Sequence, residues 1–206
     1  KAVVMSNLSD PALPADALPA ASLSDRQTDL TRQLIVDAAL DLLERVPIPE
    51  LTNRLIAQQA HMSERTVYRH FGTREHLLDT LATGIGQRLD LPPVPDSIDG
   101  LVRYPYALYP RYEAQAALTR AALHPEVFHR IRDTLARKRW ESIRILFATH
   151  APQADPHARE RAAANVRFFL AATAWNYYRS YFGMDLEEAM EAVSDAIGHI
   201  VQGLKP

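Results

Sequence analysis

Apolar residues recur every three or four positions along almost the whole chain, and no stretch alternates with the period of two that a half-buried strand needs. Leu34, Ile35, Ala38, Ala39, Leu42, Leu43 and Val46 lay out one face of a helix over residues 28–46, which Pro47 and Pro49 stop. A shorter run follows with Leu51, Leu55 and Ile56. Its period fails at Ala60-His61-Met62 and starts afresh at Ser63, which predicts two short helices joined by a tight turn. Ser63 suits an N-cap, since its hydroxyl accepts from a backbone N–H one turn on, and Thr66 stands at the third helical position. Val67 and Phe71 then share one side, while Glu64, Arg65, Tyr68 and Arg69 spread over the other. Ala57 and Ala60 keep side chains short where the two helices must cross steeply. A fourth helix, capped by Thr73, runs to Leu91, and Pro92-Pro93-Val94-Pro95 ends it and marks a domain boundary.

The second half carries the same period between prolines. The predicted spans are 97–109 with a kink at Pro105, then 110–122, 125–149, 155–181 and 185–203, with Asp155 and Asp185 as N-caps and Pro156 at a first helical position. The fold class is all-α: an N-terminal three-helix helix-turn-helix unit with its connecting helix over residues 25–91, and a larger helical domain over 92–206. Residues 1–24, with Pro11, Pro14 and Pro19 among Ala, Ser and Asp, keep no period and are expected to form a flexible arm.

Composition narrows the function. Of 206 residues, 47% are hydrophobic and 23% charged, the balance of a globular protein. A net charge of -2 means that any contact with nucleic acid must be local and oriented. Without cysteine there is no disulfide, thiolate metal site or thiol catalysis, and the expected setting is the cytoplasm. No stretch reaches the ~20 apolar residues of a membrane span. The histidines are too scattered for a metal site, and no Ser, His and Asp form a nucleophile motif, so neither a cofactor nor enzyme activity is expected.

A hairpin of this shape can lay its second helix in the major groove and offer its first residues to base edges. Arg65 is suited to guanine and Glu64 to cytosine, Tyr68 and His70 to phosphate oxygens or a sugar edge. Thr52 at a helix start and Arg74 in the first turn after Thr73 suit phosphates. Residues 51–90 hold Arg54, Arg65, Arg69, Arg74 and Arg88 against Glu64, Glu75, Asp79 and Asp90, so no basic stripe marks the face.

The run TNRLIAQQAHMSERTVYRHFGTREHLLDTL resembles the DNA-binding signature of TetR-type transcriptional repressors. The resemblance implies phosphate or base contact by Thr52, Asn53, Arg54, Ser63, Glu64, Arg65, Thr66, Tyr68, Arg69, His70 and Arg74, with Ile56, Ala57, Val67, Phe71 and Leu77 packing behind them. Two departures stand out. His61 occupies the turn position where the family usually has Gly, which predicts slight strain, and Val46-Pro47-Ile48-Pro49-Glu50 replaces a glycine connection.

The resemblance also implies a small-molecule effector and a two-fold partner. The tyrosine-rich stretch of residues 104–112 suggests a broken helix lining a cavity, with Tyr106, Tyr109, Trp140, Phe147, Phe168, Phe169 and Trp175 as candidate walls. Ala171, Ala174, Tyr178, Met190, Val193, Ile197 and Ile200 are the candidate dimer surface of a four-helix bundle. Arg130, Arg132, Arg137, Lys138, Arg139 and Arg144 spread around several faces and read as solvated surface. The expectation is a homodimeric repressor that leaves a near-palindromic double-stranded operator when an effector binds, with Pro105 and the helix after Thr73 transmitting the change. The alternatives are an all-α small-molecule-binding protein or enzyme whose hairpin is only structural, and a helical adaptor for another protein.

Overall fold

Each α-helix start in the N-terminal unit is fixed by a hydroxyl or carboxylate that accepts from a backbone N–H no helical carbonyl can reach. The computed structural model describes residues 22–132 and 136–204, so most of the expected N-terminal arm lies outside the described residues. Helix α1 (Leu23–Leu42) starts five residues earlier than its apolar pattern, because Ser22 and Asp25 form a capping box. After a 3-10 turn at Ile48–Glu50 come α2 (Asn53–Gln59), α3 (Glu64–Phe71) and α4 (Arg74–Leu89), capped by Thr52, Ser63 and Thr73 as their residue types predict. Ser63 Oγ accepts from Thr66 N at 3.1 Å. His61 has φ 53°, the left-handed backbone expected of a residue standing where glycine is usual. Gly72 turns the chain from α3 into α4 with φ 52°.

Ile35, Ile56, Val67, Phe71 and Leu81 meet in the first core, which the connections from α1 to α4 enclose. Arg88 ties α4 back to Asp41 and Asp37 of α1 at 2.5 and 3.5 Å. Leu118, Ala122 and Val127 join this core although they lie beyond the proline run, so the packing of the N-terminal unit reaches past residue 91.

The larger unit contains α5 (Ile98–Ala114), α6 (Ala116–Ala121), α7 (Pro125–Ile131), α8 (Arg137–His150), α9 (Pro156–Phe169), α10 (Ala172–Asn176) and α11 (Leu186–Gln202). Among the described residues there is no strand, and no helix is long and apolar enough to cross a membrane. Asp155 and Asp185 are N-caps as expected.

Two breaks differ from the proline-based expectation. Helix α5 runs unbroken through Pro105 and Pro110 and stops at Gln115, where Thr119 Oγ1 donates to the free Tyr112 carbonyl at 3.1 Å. Helices α7 and α8 both fall within the span expected over 125–149. The span 155–181 breaks at Leu170 and Ala171, where Tyr109 and Tyr112 hydroxyls donate to the carbonyls of Phe169 and Leu170 at 2.7 and 3.2 Å. Helix α10 then continues as a π-helical turn over Tyr177–Tyr181. Helix α11 lays Ala189, Val193, Ile197 and Val201 against α5, forming the second core with Trp175 and Phe147.

Candidate nucleic-acid interface

The outward side of α3 is the candidate recognition surface. Val67 and Phe71 are fully buried beneath it, which fixes the roll of the helix. Glu64, Arg65 and Arg69 consequently point to solvent, and Tyr68 keeps 62% of its surface exposed. Thr52 and Arg54 are also exposed at the start of α2, and Asn53 is half-buried beside them. Asn53, Arg54, Glu64, Arg65, Tyr68 and Arg69 make no side-chain hydrogen bond or ion pair with any described residue. A helix start that shows free N–H groups, two guanidiniums, a carboxylate and a phenol on one side can contact phosphates and base edges together.

Ser63 and Thr66 bridge hydroxyl to hydroxyl at 2.8 Å, so both are held at the N-terminus of α3. Two expected contact residues are differently disposed. Arg74 is half-buried and engaged inside the molecule: its Nε donates to Glu126 at 2.9 Å, and its other nitrogens donate to the Leu51 and Ile48 carbonyls at 3.2 and 3.0 Å. The expected phosphate ligand is thus a clamp between α4, the 3-10 turn and α7, and it holds the Glu126 carboxyl below the ordinary carboxylate range. His70 turns Nε2 inward, without solvent contact or partner, under the start of α1. Burial, and then the fields of Arg69 and Arg32, lower its pKa and disfavour the charged ring.

A cavity of about 770 Å3 lies between α4, α7, α8 and α9. Trp140 and Phe168 of the expected wall line it, together with Ile85, Leu89 and Ile131, which sequence alone did not single out. Tyr109, Phe147 and Trp175 are instead fully buried in the second core, where the Trp175 indole N–H donates to Glu113 at 3.0 Å. Phe169 packs against that same core, and Tyr106 is 45% exposed away from the cavity. The cavity also takes in Arg132, Arg137, Arg139 and Arg167. Three of these belong to, or lie beside, the basic run expected as solvated surface, and the fourth is an arginine set within the apolar sequence Val166-Arg167-Phe168-Phe169.

The expected dimer residues scatter as well. Ala174, Val193 and Ile197 are interior to their own subunit, because α5 satisfies the apolar face of α11. Tyr178, Met190 and Ile200 are half-buried on the second core, and Ala171 faces the cavity. Large apolar area is exposed nearby at Tyr177, Tyr181 and Phe182.

Residues 35–81 match the family model of bacterial regulatory proteins, tetR family. Over 56 residues the chain is 41% identical to the tetracycline repressor protein class D of Escherichia coli, and equally to the class H repressor of Photobacterium damsela subsp. piscicida. That alignment covers 27% of this chain and 26% of each repressor, so it spans about a quarter of these relatives. In fold the likeness is longer. NalD, the secondary repressor of the MexAB-OprM multidrug efflux pump in Pseudomonas aeruginosa, superposes with a TM-score of 0.60 at 16% identity, over 84% of this chain and 96% of its own. The domain near the start of the chain thus matches the tetR family of bacterial regulatory proteins, and the fold along most of its length is similar to that of NalD.

Proposed function

We propose that the protein is a DNA-binding transcriptional repressor that acts as a homodimer on a near-palindromic operator and is released by a small molecule bound in the cavity. One observation carries the reading: the face of α3 bearing Glu64, Arg65, Tyr68 and Arg69 is exposed and unpartnered above a rigid apolar floor of Val67 and Phe71. Two such helices must enter successive major grooves about 34 Å apart, which requires a second copy. The exposed aromatics Tyr177, Tyr181 and Phe182 offer apolar area for that copy beside α9 and α11.

Coupling follows from two helices that serve both regions. Helix α4 begins at the Arg74 clamp and contributes Ile85 and Leu89 to the cavity wall. Helix α7 holds Arg74 through Glu126 and Asp79 through Arg130, and it contributes Phe128 and Ile131 to the same wall. A ligand that moves this wall moves the base of the reader, and the operator then weakens ligand binding by the same factor. Pro105 is buried within an unbroken helix, so α4 and α7 take over the role expected of it. Selection of duplexes from a random pool by the full chain tests the proposal. A symmetric consensus with two half-sites is expected; a pool that stays unenriched at low salt, or an unpaired half-site bound by a monomer, sinks it.

A further inference from the structure

The cavity has apolar walls, yet the formal charges that the described residues bring to it all have one sign. Four arginines reach it, and no Asp or Glu of the described residues lines it. Arg132 and Arg137 do so from exposed positions, whereas Arg139 and Arg167 are half-buried. Arg139 donates to the Pro92 carbonyl at 2.9 Å and to the Tyr104 hydroxyl, both neutral groups. Arg167 makes no hydrogen bond or ion pair with any described residue. The tyrosines supply no compensating charge: burial pushes the Tyr112 hydroxyl up to about 12 and raises Tyr104 too. Burial is the largest cause disfavouring the charge on Arg167; the field of Tyr112 offsets part of it, and the neighbouring Arg139 adds to it. Two like charges at an apolar wall without a counter-charge are costly, and an arriving anion relieves both the repulsion and the empty hydrogen-bond donors.

We propose that this cavity binds a carboxylate with an extended apolar body, its head group on Arg167 beside Arg139 and its body along Leu89, Trp140 and Phe168. Guanidinium N–H groups form a planar fork that matches a carboxylate, while a cation is repelled and a neutral apolar molecule leaves the arginines unmatched. The volume of about 770 Å3 admits a drug-sized molecule or a medium acyl chain. Naming this molecule as the effector rests on the repressor reading above, but its preferred charge does not.

Titration of the full chain with decanoate, decanol and decyltrimethylammonium, followed by calorimetry, tests the assignment. Decanoate is expected to bind at least about tenfold more tightly than decanol, with no saturable binding of the ammonium. Arg167→Met should weaken decanoate and bring the two within about twofold. Equal affinities in the parent, an acid preference that survives Arg167→Met, or no binding of any probe overturns the proposal. Should the variant not fold, the decanoate-to-decanol ratio of the parent decides. Duplex binding measured in parallel separates the two readings. A decanoate preference without duplex binding removes only the repressor, and duplex binding without an acid preference removes only the carboxylate.

Discussion

The reader and the cavity both hold arginines without a partner, but they face opposite ways. On α3, Arg65 and Arg69 stand in water above buried Val67 and Phe71, where a long cation costs little and is free to meet a phosphate or a base. In the larger unit, Arg167 is drawn in among apolar side chains, where an unmatched charge is a liability until something of opposite sign arrives. An outward charge can rest on a helix indefinitely. An inward one implies a guest. The contrast teaches that partnerless groups are informative in proportion to how little water they see.

The strongest way to break the comparison is to remove the floor of the reader. Phe71→Ala, deleting a ring that is 1% exposed, should cost about 3–5 kcal/mol in urea unfolding of the full chain and abolish duplex binding. Ligand binding in the cavity should survive at concentrations where the chain remains folded; equal loss of both would mean that the two regions are one unit.

Arg65 and Arg74 form the next pair. Arg65→Ala should leave unfolding within about 0.5 kcal/mol of the parent and lose about 1–3 kcal/mol of discrimination at one base pair, read by competition between duplexes. Arg74→Ala should do the reverse, destabilising the free protein by about 1–3 kcal/mol as the Ile48 and Leu51 carbonyls lose their donor. If Arg74→Ala instead leaves stability intact and only weakens all duplexes, its side chain works as a phosphate ligand after all.

A smaller effect is expected at the turn. His61→Gly removes the left-handed strain of a φ of 53° and should raise the thermal midpoint, by up to about 1 kcal/mol in stability. The smallest concerns the joint between the two regions. Because Arg74 lowers the Glu126 pKa, the pair contributes stability above the ordinary carboxylate value and loses it as pH falls through the lowered one. The side chains are 38% and 34% exposed, so solvent screens the effect. The melting difference between the parent and Glu126→Gln should be small near pH 7 and shrink as pH falls below the ordinary carboxylate range; a difference that grows on acidification contradicts the pairing.

The reader was legible because its determinants are local. Ser63, Thr73 and Thr52 cap helices within three residues of themselves, and the spacing of Val67 and Phe71 fixes which side of α3 looks out. Arg74 escaped because its three partners come from Ile48, Leu51 and Glu126, positions up to 52 residues away. The larger unit hid more for the same reason. The tyrosines at 109 and 112 looked like cavity walls, yet their hydroxyls serve carbonyls about 60 residues on at the end of α9. Prolines were over-read: α5 accommodates two of them and breaks at Gln115, whose φ of −127° and ψ of 48° no residue type announces. Arg167 did leave one trace, a lone cation amid apolar neighbours.

Helix α4 has 16 residues, hence a length of about 24 Å, with Leu89 at one extremity and the two-residue joint to α3 at the other. Such a rod behaves as a lever whose short input is a wall displacement. Tilting it by about 5° about the Leu89 end sweeps the joint through about 2 Å, enough to carry a guanidinium out of hydrogen-bonding range of a base. On the repressor reading proposed above, gearing of this kind would let a modest guest shift the fingertips of the molecule without unfolding any part of it.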